Sequence, residues 1–360
     1  MKAERRRITT RELAQDLGVS RATIDRALNG RGRISEETRE RIARRAQELG
    51  YRPNLIARSL AMTTSARIIA IVPKQPASFF QSILEGIRDA AENYADHPFS
   101  VEIRHTSKHD LTEQREIIRR LDGTTCNGLI LVPAHSRALN SEIDRLAGEG
   151  VMVICVNSDA PESRRTTFIG QDFIRAGRLA AELLGKLARG QGRVLSLGGF
   201  PDIWAHTQRT LGFVRELEEH YPEIEILHGP FCDDDPQRAY EAVRGAIDSA
   251  PPDRPIAGVY ISTGAGSWGV ARALRENQPR KIHFVGFDVL PENVKYLRSG
   301  TIDAVVEQEP YRQGYDAVEQ LHRHFIERKT EHAEYVLTGL DVILRNSIPE
   351  LPEHGTDQQF

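Results

Sequence analysis

Nine side chains suited to binding a polyhydroxylated ligand follow short apolar runs of the chain. Aromatic rings stack on the flat face of a sugar, and charged or amide groups form hydrogen bonds with its hydroxyl groups. The nine are Phe79, Phe80, Asn157, Ser158, Trp204, Arg209, Thr263, Asp288 and Gln308. Any one of them alone is an ordinary loop or core residue. Their shared placement predicts a single site for a carbohydrate-type ligand.

A second set of side chains, near the N terminus, is suited to reading DNA. One face of a predicted helix carries Arg21, Ala22, Asp25, Arg26 and Asn29. Arginine donates two hydrogen bonds to guanine, and a small apolar side chain fits against the methyl group of thymine. Ser20 and Thr23 begin the same helix, where hydroxyl groups and backbone N–H groups bind phosphates. This set predicts binding to double-stranded DNA.

Three short helices are predicted to position the DNA-reading side chains. The first begins near Thr9 and ends at Gly18, the second begins at Ser20, and the third runs from Ser35 to Gly50. Two helices joined by a glycine turn form a helix-turn-helix, whose second helix enters the major groove. The alternative is a solvated charged face on a small helical domain.

Charge is distributed unevenly along the chain. Residues 1–62 carry 15 Lys and Arg against 8 Asp and Glu, whereas the other 298 residues carry 33 against 43. A basic module joined to an acidic body is typical of a protein that binds a polyanion through the basic module alone. The asymmetry therefore supports the DNA-binding interpretation of the N-terminal segment.

The rest of the chain alternates apolar runs with amphipathic helical stretches. The predicted strands are 68–73, 99–105, 128–133, 151–156, 193–199, 257–262 and 283–288. Apolar strands that alternate with helices indicate an α/β fold with parallel sheets, and two groups of strands suggest two lobes. Ligands bind at the carboxyl ends of such strands, which is where the nine ligand-type side chains lie.

Composition excludes several other classes of protein. The chain is 39% hydrophobic and 28% charged, as globular proteins are. No apolar stretch reaches the ~20 residues of a membrane span, and none follows the basic N terminus as in a secretory signal. The 3 cysteines lie far apart in sequence and indicate neither disulfides nor a zinc knuckle. We expect a cytoplasmic protein without membrane contact.

One motif favours an enzyme instead. Residues 264–269 read G-x-G-x-x-G after a predicted strand, a pattern typical of dinucleotide-binding sites. It leaves open an NAD-dependent sugar oxidoreductase. Such a motif normally opens the first unit of its domain, whereas this one lies late in the α/β series. The sequence also has no G-x-S-x-G, H-E-x-x-H or P-loop, so we expect no enzyme activity, no cofactor and no metal site.

The N-terminal segment resembles the headpiece of the LacI/GalR family of bacterial transcription regulators. The matching run is TTRELAQDLGVSRATIDRALNGRGRISEETRERIARRAQELGYRPNLIARSL. The resemblance implies phosphate contacts or caps at Thr9, Ser20, Thr23 and Asn29, and base contacts at Arg21, Ala22 and Arg26. It implies further DNA contacts at Tyr51, Asn54, Ala57, Arg58 and Leu60. In the linker 54–66, the segment from Leu55 to Ala61 would form a hinge helix on binding the operator, with Leu60 wedged between base pairs in the minor groove. The alternative is a disordered tether.

Residues 67–345 are similar to the type I periplasmic sugar-binding fold that this family uses as its sensor. The matching pieces are SFFQSILEGI, IGQDFIRAGRLAAELL, RTLGF and FVGFDVLPENVKYLRSGTIDAVVEQEPYRQGYDAV. The resemblance implies effector contacts at Phe79, Phe80, Arg209, Asp288 and Gln308. Asn157 and Ser158 replace an Asp-Arg pair of pentose-binding members, and Thr263 with Gly264 replaces an Asn-Asp pair.

These features predict four segments and one function. The segments are a helix-turn-helix domain in 1–53, a hinge helix and linker in 54–66, a two-lobed effector-binding and dimerisation domain in 67–345, and a tail in 346–360. The function is a ligand-responsive, sequence-specific DNA-binding transcription regulator that represses a carbohydrate-utilisation operon; an activator with the same domains is the alternative. Because one head reads only a half-site, the expected partners are a second copy of the chain, a near-palindromic operator and a carbohydrate-type effector.

Overall fold

The computed structural model describes residues 10–20, 23–24, 27, 35–48, 65–74, 77–107, 110–276 and 281–348. The chain divides into two compact units, which we call the head and the body. The head comprises residues 1–65 with 95–98, and the body comprises the remaining residues. Among the described residues, no helix combines the length and apolar character needed to cross a bilayer.

The turn between the first two predicted helices of the head has the expected form. Helix α1 (Thr10–Leu17) ends at Gly18, whose φ of +64° lies in the left-handed region that glycine favours. The Oγ atom of Ser20 then accepts a hydrogen bond from the backbone N–H of Thr23 at 3.1 Å. The predicted stop at Gly18 and the predicted start at Ser20 are both confirmed.

A small apolar core holds the head together. Helix α2 (Glu36–Glu48) begins after Ser35, whose Oγ accepts a hydrogen bond from the N–H of Thr38 at 3.3 Å. The buried core residues are Leu13, Ala14, Ile24, Ala27, Ile42 and Ala46. Arg45 of α2 pairs with Asp16 of α1 at 2.7 Å. Each of the three predicted helices of the head therefore contributes buried residues to this core.

Most of the predicted DNA contacts lie outside the described residues. These are Thr9, Arg21, Ala22, Arg26, Asn29, Tyr51, Asn54, Ala57, Arg58 and Leu60, together with the hinge segment up to residue 64. Ser20 and Thr23 are described, and both belong to the turn that begins the second predicted helix.

The first lobe of the body is built on a six-stranded parallel sheet. Its strands are β1 (Ala66–Pro73), β2 (Phe99–Thr106), β3 (Gly128–Leu131), β4 (Met152–Val156), β5 (Thr167–Gly170) and β11 (Tyr335–Leu337), in the order β11-β5-β4-β3-β1-β2. Its helices are α3 (Ala77–Asn93), α4 (Leu111–Arg119), α5 (Asn140–Gly148) and α11 (Pro310–Phe325). Alternate residues of β1 face opposite layers: Ile68 packs with α3 and α11, and Ile69 with α4 and α5.

The second lobe is likewise a six-stranded sheet with helices packed on both of its faces. Its strands are β6 (Gly192–Gly198), β7 (Ile224–Phe231), β8 (Ile256–Ile261), β9 (His283–Phe287), β10 (Ala304–Glu307) and β12 (Asp341–Ile343), in the order β12-β10-β9-β8-β6-β7. Its helices are α6 (Phe173–Leu187), α7 (Trp204–His220), α8 (Pro236–Asp248), α9 (Gly264–Glu276) and α10 (Pro291–Arg298), followed by a 3-10 turn at Arg345–Ser347. Only β12 pairs antiparallel among these described strands, at the edge beside β10.

The chain passes between the lobes at three places, which hydrogen bonds tie together. The crossings follow β5, β10 and β11. Gln171 Nε2 donates to the carbonyl of Glu307 at 3.0 Å, and Thr338 Oγ1 donates to the carbonyl of Gln308 at 2.9 Å. The N–H of Thr338 donates to the carbonyl of Gly170 at 2.9 Å. The three crossings therefore form one bonded junction.

The seven predicted strands are all confirmed, and five further strands were missed. The missed strands are Thr167–Gly170, Ile224–Phe231, Ala304–Glu307, Tyr335–Leu337 and Asp341–Ile343. Four of them have only three or four residues, too few to show a period, and Ile224–Phe231 is a half-exposed edge strand without a continuous apolar run. The α/β fold class with two lobes and a helical head is confirmed.

Glycines let helices cross in backbone contact in both lobes. A Cβ atom on Gly314 of α11 would lie 2.1 Å from the carbonyl oxygen of Ile83, and one on Gly86 of α3 would lie 2.0 Å from that of Tyr311. In the second lobe, a Cβ on Gly177 would lie 2.0 Å from the carbonyl oxygen of Arg209. Because rigid backbone stands at each site, none of these crossings accepts a side chain.

We expect Gly314→Ala to lower the free energy of unfolding by about 1–3 kcal/mol, since the added methyl group forces α11 away from α3. Gly245→Ala is the matched control, because Gly245 also lies inside a helix and a Cβ atom added to it would meet no other atom within 4 Å. It should raise the free energy of unfolding by about 0.5–1 kcal/mol through lower chain entropy. Urea denaturation of both variants measures these changes. Equal changes in the free energy of unfolding of the two variants would contradict the backbone contact between α3 and α11.

Candidate ligand-binding cleft

A cavity of about 460 Å³, part of it open to solvent, lies between the two lobes of the body. Eight of the nine predicted ligand-binding residues line it: Phe79, Phe80, Asn157, Ser158, Arg209, Thr263, Asp288 and Gln308. The structure therefore brings together side chains that are more than 200 residues apart in sequence.

The polar residues of the cleft stand at the carboxyl ends of strands. Asn157 and Ser158 follow β4 in the first lobe, and Thr263, Asp288 and Gln308 follow β8, β9 and β10. In the first turns of α3, the rings of Phe79 and Phe80 meet edge to face, with centroids 5.2 Å apart. Each lobe supplies part of the lining, as the fold class predicts.

Backbone conformation at the strand ends is unusual for residues with side chains. Asn157, Asp234 and Asp288 have φ values of 63°, 55° and 65°, in the left-handed region. Asn and Asp tolerate this region better than other residues, but it still costs free energy and clusters at ligand-binding sites. All three residues line the cleft. The strain is consistent with side chains that are fixed for binding.

A relay of hydrogen bonds joins the lobes across the cleft. Asn157 Nδ2 donates to Gln308 Oε1 at 3.2 Å, and Gln308 Nε2 donates to Asp288 Oδ1 at 2.7 Å. Gln308 is 1% exposed, so little water competes for its amide. The amide oxygen of Gln308 therefore bonds to a residue of the first lobe, and its amide nitrogen bonds to a residue of the second lobe. The relay thereby holds Oδ1 of Asp288 in place.

Arg209 is the buried cation of the cleft and is 2% exposed. Its guanidinium donates to the carbonyl of Ser262 at 3.3 Å and to Gln171 Oε1 at 2.9 Å, and it lies 4.2 Å from the ring centroid of Phe287. Among the described residues its Nε has no hydrogen-bond partner, and neither has the Oγ of Ser158. Buried polar atoms without partners are costly, so a ligand with hydroxyl groups would stabilise both.

The surroundings of Asp288 change the pKa of its carboxyl group. Burial, reinforced by the nearby carboxylate of Glu307, raises the pKa of Asp288 to about 7, against the opposing charge of Arg209. Burial likewise lowers the pKa of Arg209, against the opposing charge of Asp288. The protonation of Asp288 therefore changes near neutral pH, in contact with whatever ligand fills the cleft.

Trp204 does not line this cleft. It lines a neighbouring cavity together with Ser136 and Thr207. The reason is that side chains of α7 point to different sides of the helix according to their spacing. Trp204 and Thr207 share one face, whereas Ala205 and Arg209 share the face toward the cleft. The prediction of a stacking role for Trp204 at the effector is thus not supported by its position.

Seven residues that were not among the nine predicted ligand-binding residues also line the cleft. They are Val132, Ile203, Ala205, His206, Asp234, Gly264 and Ala265. A helical-spacing signal existed for Ala205 and His206, which lie four and three residues before Arg209. Asp233, Asp234 and Asp235 precede Pro236 and are typical of a helix entry, with cleft lining as the lesser alternative. Asp234 does line the cleft, and it follows β7, a strand that was not predicted.

The glycines of the G-x-G-x-x-G motif serve packing in the body. A Cβ on Gly264 would lie 2.2 Å from Asp288 Oδ2, and one on Gly266 would lie 2.4 Å from Ile261 Cδ1. A Cβ on Gly269 would lie 1.9 Å from the carbonyl oxygen of Pro236, where α9 crosses α8. The motif is thus explained without a dinucleotide, and the oxidoreductase alternative is not supported.

Comparison with known proteins agrees with this architecture. A ribose operon repressor from Halalkalibacterium halodurans is 25% identical over 294 residues, covering 79% of this chain and 81% of the repressor. Catabolite control protein A of Staphylococcus xylosus is 24% identical over 284 residues, covering 78% and 82%. These relatives are transcription regulators.

Solved structures show the same fold. A solute-binding protein of an ABC transporter from Burkholderia graminis, in complex with D-arabinose, matches with a TM-score of 0.72 at 24% identity. The match covers 81% of this chain and 99% of that protein. At this identity the likeness establishes the fold alone.

Two family models divide the chain between them. Residues 68–329 match the periplasmic binding protein domain, and residues 9–54 match the lacI family of bacterial regulatory proteins. The first match alone covers most of the chain. With the helix-turn-helix core of the head and the cleft between the lobes, these matches establish that the chain belongs to the lacI family of DNA-binding transcription regulators, with a periplasmic binding protein domain as its body.

Proposed function

We propose that this regulator acts in the cytoplasm and represses its target genes. Its affinity for the operator is controlled by an uncharged, polyhydroxylated effector of monosaccharide size that binds between the lobes. The observation that carries the proposal is the joining of a lacI-type head to a cleft lined by two phenyl rings, a buried arginine and two aspartates. The names of relatives support a sugar, since one of them is a ribose operon repressor.

The charges of the cleft favour an uncharged effector. Among the described residues that line it, Arg209 is the one permanent cation, and Asp234 and Asp288 oppose it. A phosphate or carboxylate on the effector would meet more negative than positive charge in a buried setting, which is unfavourable. Hydroxyl groups both donate and accept hydrogen bonds, so they suit aspartate, arginine and amide side chains together.

The proposed DNA contacts follow the family pattern of the head. A helix-turn-helix domain in 1–53 would place Arg21, Ala22 and Arg26 against bases, and Ser20 with its neighbours against phosphates. A hinge helix in 54–66 would add minor-groove contacts. Because one head covers a half-site, the chain would act as a homodimer on a near-palindrome, with half-sites about one helical turn or slightly more apart.

Control requires that the effector favour one arrangement of the lobes. Closure on a sugar would shift the dimer contact beside the linkers and thereby change how well the paired hinge segments fit the operator. A coupling free energy of ~1–3 kcal/mol, typical of allosteric proteins, changes operator affinity roughly 5- to 150-fold.

The proposed function is tested by selecting bound sequences from random double-stranded DNA, with and without D-ribose, D-arabinose, D-xylose, D-galactose and their phosphates. We expect one near-palindromic sequence to be enriched, and at least one neutral sugar, but not its phosphate, to change the yield. Absence of any enriched sequence would refute the DNA-binding role. A response to phosphorylated sugars alone would refute the uncharged effector.

We expect sugar affinity to depend on pH through Asp288. The ionised carboxylate accepts hydrogen bonds from hydroxyl groups, and with a pKa of about 7 its ionised fraction increases about tenfold between pH 6 and pH 8. Affinity should therefore rise about tenfold over this interval. Asp288→Asn should abolish the pH dependence and weaken binding about ten- to hundredfold, because a charge-assisted hydrogen bond is lost. Calorimetric titration with the sugar that binds in the selection measures both.

Asp253→Asn is the control for charge, because Asp253 is exposed on the same lobe. It should leave both affinity and its pH dependence unchanged. A pH dependence that persists in the Asp288→Asn variant would show that another group titrates in the cleft.

Two substitutions in the head should separate base contacts from phosphate contacts. Arg26→Ala should relax preference at one operator position by about 1–3 kcal/mol, since a bidentate contact with a base is lost. Ser20→Ala should weaken binding to operator and random DNA alike, because it removes the bond to the Thr23 N–H and a phosphate contact. Anisotropy titrations on single-base operator variants measure both. Uniform loss in the Arg26→Ala variant would contradict the base-reading role.

A further inference from the structure

The helix that carries Arg209 lacks a capping side chain from its own segment. Helix α7 begins at Trp204, and its N-cap residue Ile203 has extended backbone and no side chain able to accept a hydrogen bond. The first N–H groups of a helix have no partners within the helix, so they require acceptors from elsewhere. Ser, Thr, Asp or Asn usually supplies one at the N-cap position.

The acceptor for α7 comes from the opposite lobe. Ser136, in the loop after β3 of the first lobe, accepts a hydrogen bond on its Oγ from the backbone N–H of Trp204 at 2.9 Å. Its own N–H donates to the carbonyl of Asp202 at 3.3 Å. Ser136 is 4% exposed, so water does not readily replace it. The first lobe thus caps a helix of the second.

Hydrogen bonds within the first lobe hold the loop that contains Ser136. The buried amide of Gln114 in α4 donates to the carbonyl of Val132 at 2.9 Å and accepts from the N–H of Ala134 at 2.8 Å. His135 Nδ1 accepts from the N–H of Ala138 at 3.2 Å, which directs its other ring nitrogen toward Asp202, 3.4 Å away. The cap is therefore a fixed part of the first lobe rather than a mobile surface loop.

Apolar contacts dock the same turn of α7 on the first lobe. Ile203 and Ala205 are each 3% exposed and belong to the apolar cluster that contains Leu139 and Ile143 of that lobe. From this turn Ala205 and His206 line the cleft, and Arg209 follows one turn later. Ser136 itself does not line the cleft, so it has no direct contact with an effector there.

We propose that Ser136 is a positioning residue that caps α7 across the lobe boundary and so couples closure of the lobes to the placement of Arg209 and its helical neighbours. When the lobes separate, the Trp204 N–H loses its acceptor and the first turn of α7 loosens. When they close, the cap re-forms and the effector-binding face of α7 is complete. The consequence for effector affinity rests on the proposed function, whereas the cap itself does not.

The cap is tested without any effector by hydrogen exchange of the full-length chain, followed at the backbone amides of residues 204–206. Ser136→Ala and Ser136→Cys both remove the oxygen acceptor, and the cysteine variant retains most of the volume. We expect exchange at these amides to be about two- to thirtyfold faster in both variants, as for loss of a helix cap. Ser136→Thr keeps a hydroxyl group and should restore slow exchange.

The positioning role is tested with the neutral sugar that binds in the selection described above. Its affinity should fall about fivefold in Ser136→Ala and Ser136→Cys and recover in Ser136→Thr. Ser141→Ala is the control: Ser141 bonds within its own lobe, to Glu142, and should change neither measurement. Unchanged exchange at residues 204–206 would overturn the cap, and faster exchange with full sugar affinity would overturn the positioning role. Failure of the wild-type chain to bind any sugar would instead refute the proposed function.

Discussion

Burial of the Arg209 guanidinium is the constraint around which the cleft is organised. A cation that is 2% exposed is stable only where acceptors and opposite charge surround it, and each of its neighbours belongs to a different part of the body. Gln171 comes from a crossing between the lobes, Ser262 from the end of β8, and Asp288 supplies charge from the end of β9. Helix α7, which carries Arg209, is in turn capped by Ser136 of the first lobe. A change in the arrangement of the lobes therefore alters the surroundings of this one charge.

The bonded junction of the three crossings gives this arrangement a defined geometry. Gln171 contacts both Arg209 and the carbonyl of Glu307, so the junction and the cleft share a side chain. Gln308 lies next along the chain and joins Asn157 to Asp288. A ligand in the cleft and a change in the arrangement of the lobes would consequently act on the same few hydrogen bonds, as the proposed control requires.

Much of the architecture could be predicted because local patterns determine it. Gly18, Ser20 and Ser35 mark helix ends through their own backbone and side-chain chemistry, and continuous apolar runs identify the buried strands. The rule that ligands bind at the carboxyl ends of parallel strands then placed Asn157, Thr263 and Asp288 in one site.

The failures have equally physical causes. Trp204 was assigned to the cleft because it follows the predicted strand 193–199. Helical residues one position apart differ in direction by about 100°, so Ala205 faces the cleft in its place. Asp234 was not among the nine predicted residues because the strand before it, β7, is a half-exposed edge strand without a continuous apolar run. The cap from Ser136 to Trp204 joins residues 68 positions apart in different lobes, and no local pattern reports such a contact.

The crossing of α11 over α3 also constrains how the protein is made. The first lobe lacks a complete core until Ala317, Val318 and Leu321 of α11 cover β1, and its sheet gains an edge strand only from Tyr335–Leu337. Almost the whole chain must therefore leave the ribosome before the N-terminal half of the body can close, although its first strand emerges more than 200 residues earlier. The second lobe, whose first five strands lie consecutively between residues 192 and 307, can assemble first and serve as the surface on which the earlier-synthesised lobe completes its fold.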